Sequence, residues 1–123
     1  MSPSHLENVA DTVIRQVLGR LPVAVREKAG SCPVEVGWIK QAMVDDPDLP
    51  EDLLGLFEGR ACGEPDDEHP ASLPRIRLFL DNIWEHAGRD RQAFREELRI
   101  TLLHEIGHYL GLDEEQVEAL GLA

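Results

Sequence analysis

Leu6, Val9, Val13, Ile14, Val17 and Leu21 recur at the three- and four-residue intervals that line one face of a helix. Ser4 and Glu7 stand at capping-box spacing, so a helix is predicted over about 5–19, continuing as a short piece over 22–29 that Gly30 can stop. The period then changes. In PVEVGW (33–38), Val34, Val36 and Trp38 alternate with Glu35 and Gly37, which reads as a half-buried strand. Residues 40–53 are acidic and broken by Pro47 and Pro50, and read as a loop or short helix. LLGLFEG (53–59) is a short apolar run bracketed by glycines and reads as a short strand. The proline-rich, acidic stretch over 60–74 reads as a loop, placed where it could cover a cleft. RIRLFLD (75–81) gives the clearest strand, with Ile76, Leu78 and Leu80 alternating against Arg75, Arg77 and Phe79.

No element is assigned over 82–89. Asp90 can cap a long helix over about 91–110, and Gly111 can end it. Asp113 and Gln116 again have capping-box spacing, so a short helix over about 114–120 follows. The order is helix, strand, short strand, strand, long helix, short helix. That order implies an α+β domain over 1–123, with a small sheet packed on the long helix.

The long helix carries a feature that packing does not explain. LLHEIGHYLGLDEE (102–115) is largely apolar around His104, Glu105 and His108. With about 100° per residue, His104 and His108 fall on one narrow strip, flanked by Glu97 and Thr101. Leu102, Leu103, Ile106, Tyr109 and Leu110 occupy the opposite arc. A buried polar group without a partner costs about 1–3 kcal/mol, so one partner that satisfies all three polar groups is expected. A zinc ion fits: two imidazoles four residues apart can reach the same ion. Glu105, at the margin of the strip, can take a proton from a water activated by that ion. The spacing is H-E-x-x-H on a helix.

Catalytic zinc usually has three protein ligands. Gly111 lets the chain turn back beneath the helix, which swings Asp113 and Glu114 towards the histidines. Asp113 is engaged if it caps the next helix, so Glu114 is the first candidate for the third ligand and Asp113 the second. Acidic residues also favour a helix N-terminus for electrostatic reasons alone.

Charge narrows the partners. The net charge is −12, with 12 basic and 24 acidic residues. Nucleic acids and anionic membranes select basic surfaces, so neither is expected as a partner. No run approaches the roughly 20 apolar residues of a membrane span, and the first residues lack the pattern of a signal peptide. A cytoplasmic location is the expectation. Cys32 and Cys62 are expected to be free thiols. His5, His69 and His86 read as surface histidines, while Trp38, Trp84 and Tyr109 read as packing residues.

The run His104-Glu105-x-x-His108-x-x-Gly111-x-x-Glu114 resembles the zincin metallopeptidases, with an acidic residue where metzincins place a third histidine. No methionine follows Gly111, so the methionine turn of metzincins is absent. The chain more specifically resembles a family of small bacterial zincin-like proteins, in LLGLFEG (53–59), LPRIRLFLDNI (73–83) and EELRITLLHEIGHYLGLDEEQVEALG (96–121). That resemblance implies a compact α+β fold, with the 75–81 strand bordering the cleft and pairing with an extended peptide. It also implies a zinc metallopeptidase acting on a peptide or protein substrate. Two other functions use the same residues. One is a non-catalytic metal-binding or regulatory module. The other is a metal-dependent ribonuclease, which the acidic charge and Glu105 both disfavour.

Overall fold

A computed structural model of the protein describes residues 2–62 and 73–119. Helix α1 spans Pro3–Arg20. It begins earlier than the capping-box spacing suggests. Ser2, not Ser4, is the N-cap, and its hydroxyl accepts the His5 N–H at 3.2 Å. Pro3 accounts for the shift, because a proline in the first turn has no N–H to satisfy and its fixed φ suits a helix. Helix α2 (Val23–Ala29) follows and ends at Gly30.

Strands β1 (Val34–Gly37), β2 (Gly55–Glu58) and β3 (Arg75–Phe79) form one mixed sheet in the order β1-β3-β2. Strand β3 pairs in parallel with β1, Val34 opposite Ile76, and antiparallel with β2, Gly55 opposite Leu78. The strand expected over 75–81 is therefore the centre of the sheet. It has neighbours on both flanks and cannot border a cleft or take up a peptide. Among the described residues, the strand with an open flank on the α5 side is β2.

Strand β3 also stops before residue 81. Leu80 begins helix α4 (Leu80–His86), which occupies most of the stretch left unassigned. Asp81 fixes the switch: its carboxylate accepts the Ile39 N–H at 3.0 Å and the Asn82 N–H at 3.1 Å. That contact also starts helix α3 (Ile39–Asp45), so the acidic stretch over 40–53 is helical in its first part. Successive side chains of a strand point to opposite faces. Ile76 and Leu78 accordingly join the main core with Leu98, Leu102 and Ile106, while Phe79 packs with Ile39 and Ala42 on a second, smaller cluster. Val36 departs from the expected alternation: on edge strand β1 it remains 38% exposed.

Helix α5 (Arg91–Leu110) packs against α1, α4 and the sheet. Its ends match the sequence signals. The Asp90 carboxylate accepts the Ala93 N–H at 2.8 Å. Gly111 takes φ 72°, a left-handed conformation that costs glycine little. The Leu112 N–H then returns to the Gly107 carbonyl at 2.8 Å, and the chain reverses into helix α6 (Glu114–Ala119). Phe94 is fully buried and meets Trp84 edge-on, with ring centroids 5.5 Å apart. Burying a side chain of that size contributes about 1.5–3 kcal/mol. Among the described residues, no helix is long and apolar enough to cross a membrane.

Candidate metal centre

His104 and His108 project from the same side of α5. Their Nε2 atoms face each other at 3.0 Å, and the rings are tilted by 56° with centroids 4.5 Å apart. Two nitrogens bound to one tetrahedral zinc, at bonds of about 2.0–2.1 Å, stand about 3.3 Å apart. The observed separation is close to that value, a distance that also suits an N–H···N hydrogen bond between the rings. The cost of that approach falls on the side chains. Both rings are exposed on a stretch of helix whose neighbours, residues 101–103, 105–107 and 109, are buried, and the His104 side chain is 45% accessible.

Glu105 lies between these rings and the sheet. It is 6% exposed, and its Oε2 is 4.0 Å from His104 Nε2. His104, Glu105 and His108 can each offer one ligand atom, all within 4.8 Å of one another, so this group can hold a metal ion. Thr101 and Glu105 are the two buried polar side chains among the described residues, and both lie beneath the start of β2. Gly55 makes that approach feasible. A Cβ added there would stand 2.7 Å from Thr101 Cγ2, 3.3 Å from the Arg77 carbonyl oxygen and 3.4 Å from Glu105 Cγ. The lack of a side chain at Gly55 is what lets the strand settle onto the helix at Glu105.

The two acidic candidates behave differently. Asp113 is engaged as a cap: its carboxylate accepts the Gln116 N–H at 2.7 Å, and the Asp113 N–H donates to the Gln116 side chain at 3.0 Å. The Glu114 side chain is 86% exposed, and its Oε1 lies 3.8 Å from His104 Nδ1. The structure therefore brings Glu114 beside His104 on the nitrogen opposite the facing pair. It groups His104, Glu105 and His108 together and leaves Glu114 outside that compact set.

Two grooves meet at the histidines. One, of about 480 Å³, runs between β2 and α5, with Leu54, Phe57 and Thr101 among its walls. The other, of about 590 Å³, lies between α5 and α6 and is lined by Leu103, Leu112 and Val117. A larger groove between α1 and α5, of about 730 Å³, contains no histidine. Among the described residues, strand β2 has no partner on its flank facing the first groove. The Phe79 N–H donates to the Leu54 carbonyl at 2.9 Å, so residues 54 and 79 form a hydrogen-bonded pair. Alternation along an antiparallel ladder then points the N–H and C=O groups of Gly55 and Phe57 away from β3, towards the open side. The Asn82 amide donates to the Glu51 and Leu53 carbonyls, both at 2.8 Å, and so holds the approach to this strand.

Tyr109, Cys32 and Cys62 take the roles expected of them. Tyr109 is buried against Phe57, with ring centroids 5.8 Å apart, and its carbonyl accepts the Cys62 N–H at 2.7 Å. Burial, reinforced by the nearby Cys62, raises its phenol above the ordinary range, as suits a packing residue. Cys32 and Cys62 are free, and burial pushes the Cys32 thiol up to about 11. His86 sits beside Glu97, at 3.6 Å, and His5 beside Arg91, at 3.3 Å. His69, and most of the 60–74 loop expected over the cleft, lie outside the described residues. The contribution the sequence reading missed is that of β2, both Gly55 and the open flank. The only local signal was a glycine leading a short apolar run.

A paired-histidine helix with an adjoining glutamate, packed on a small mixed sheet whose edge strand flanks the pair, is an arrangement that could hold a metal ion. The family comparison agrees: the zincin-like metallopeptidase pattern matches residues 34–122, and the chain belongs to that family. The match begins at β1 and includes all three strands, α5 and α6. No curated protein matches the chain.

Proposed function

We propose that the protein is a zinc-dependent peptidase acting on an extended segment of peptide or protein. The observation that carries this reading is the 3.0 Å convergence of His104 Nε2 and His108 Nε2 beside the buried Glu105. His104 and His108 hold the ion. Bound there, zinc would supply Lewis acidity, lowering the pKa of a water towards 7 and polarising a carbonyl oxygen. Glu105 is the general base: its carboxylate takes a proton from the water as the oxygen attacks the carbonyl carbon. It then delivers that proton to the amide nitrogen as the C–N bond breaks. Its burial under β2 keeps the carboxylate fixed at the margin of the histidine pair. The peptide adds to the open flank of β2, where Gly55 and Phe57 offer backbone donors and acceptors.

Glu114 is the proposed third ligand, because Asp113 is engaged in its cap while Glu114 is not. Its place beside His104 Nδ1 also suits a second role, that of orienting the His104 ring from outside the coordination sphere. Glu114→Ala separates the two. Loss of an orienting partner lowers zinc affinity by about 10–100-fold, as read by competition with a chromophoric chelator. Loss of a ligand lowers it further, and wild-type affinity in this variant would exclude both roles.

The peptidase reading is tested with a peptide library and Glu105→Gln. Hydrolysis by the zinc-loaded protein should fall by about 10²–10⁴-fold while zinc content is unchanged. A variant that cleaves like wild type would remove Glu105 from the chemistry.

A further inference from the structure

The groove between β2 and α5 has a second end, away from the histidines, and Glu97 stands there. Glu97, Thr101, His104 and His108 follow one another at helical intervals of four, three and four, so they share a face of α5. Glu97 and Glu105 are the acidic residues on the walls of this groove, and no lysine or arginine lines it among the described residues. The Glu97 side chain is 29% exposed, so its carboxylate is accessible yet partly sheltered. Its partner among the described residues is His86, at 3.6 Å from Oε2, too long for a strong hydrogen bond. Among the described residues, Oε1 has no such contact. The rest of the groove is largely apolar, with Leu54, Phe57 and Ile100 on its walls.

We infer that Glu97 is a specificity determinant that receives a lysine or arginine side chain of the peptide lying along β2, about three residues from the bond at the histidine pair. The spacing follows from two rises. Seven helical residues separate Glu97 from His104, about 10 Å along the axis. An extended peptide covers that length in about three residues. A partly sheltered carboxylate in an apolar groove discriminates better than one in open water, because the pair it forms is less screened. The inference rests on the proposed peptide groove, but it does not need the metal.

The experiment separates it from the peptidase reading. Acetylated and amidated peptides carrying one lysine, or norleucine in its place, are titrated into metal-free wild-type protein and into Glu97→Gln at physiological ionic strength. Norleucine keeps the apolar stem and removes the charge. In wild type the lysine peptide should bind about three- to tenfold more tightly than its norleucine counterpart. That advantage should vanish in Glu97→Gln, and Glu97→Lys should instead favour a glutamate-bearing peptide. The same lysine preference in wild type and Glu97→Gln would overturn the inference, since the net charge of −12 would then explain it. Absence of any preference in wild type would overturn it as well. With zinc-loaded protein, mapped cleavage sites should place lysine or arginine about three residues from the cut. Cleavage without a Glu97-dependent bias removes the subsite and leaves the peptidase. Glu97-dependent binding without cleavage keeps the subsite and removes the peptidase.

Discussion

Helices α1 and α5 are similar in length and pack side by side, yet they bury different things. The buried residues of α1 are Leu6, Val9, Ala10, Val13 and Val17, all apolar. Its charged residues face outward and pair along the surface, as Asp11 does with Arg15. Helix α5 buries Phe94, Leu98 and Leu102 in the same way near its start and middle. From its middle onward it also buries Thr101 and Glu105, and it exposes His104 and His108 into a groove. A helix that served only as scaffold would have no reason to keep a glutamate under a strand and two imidazoles nose to nose. The contrast separates scaffold from the proposed working surface within one helical layer.

Substitutions can break that contrast at either helix. The largest effect on chemistry is expected from Glu105→Gln, which removes the proposed base without removing a metal-facing nitrogen. Its thermal midpoint should stay close to wild type, so the loss of hydrolysis cannot be assigned to unfolding. Leu6→Ala, on the scaffold helix, should act in the opposite sense. It deletes a side chain that is 4% exposed and should cost about 2–5 kcal/mol in denaturant unfolding. Hydrolysis per folded molecule should remain near wild type. A Leu6→Ala protein that is fully folded but inactive would mean that α1 takes part in the site.

Gly55→Ala joins the two effects at smaller scale. The new methyl group meets Thr101 Cγ2 at 2.7 Å, so either the threonine or the strand must move. Overpacking of this kind costs about 1–3 kcal/mol. Because Glu105 lies under the same strand, hydrolysis should fall by more than the stability change explains. Equal activity in Gly55→Ala would show that the seating of β2 on α5 does not position the base.

Much of this could be read from the chain, and the limits follow a physical rule. Most features set by neighbours in sequence were legible, the start of α1 at Ser2 rather than Ser4 excepted. The helix over 91–110, its Asp90 cap, the Gly111 reversal and the Asp113–Gln116 cap all depend on local geometry. The His104, Glu105 and His108 group is local too, since one turn of helix brings it together. Features set by distant partners were not. RIRLFLD alternates as a strand through Leu80, and only the bond from Ile39 to Asp81 reveals that α4 has begun. The central place of β3 and the open flank of β2 arise from pairing between residues far apart in sequence. The role of Gly55 required knowing that Thr101 and Glu105 lie against it. Glu114 falls between these cases: the turn at Gly111 brings it to His104 as expected, but onto Nδ1.

The central claim is that His104 and His108 converge on one metal ion while Glu105 stands beside it as a base. Metal content per chain, measured by elemental analysis after zinc loading and gel filtration, tests it most directly across wild type, His104→Ala, His108→Ala and Glu105→Gln. About one zinc per chain is expected in wild type and in Glu105→Gln, and close to none in either histidine variant. Zinc retained at wild-type level in His104→Ala and His108→Ala, or lost on Glu105→Gln, would contradict the claim.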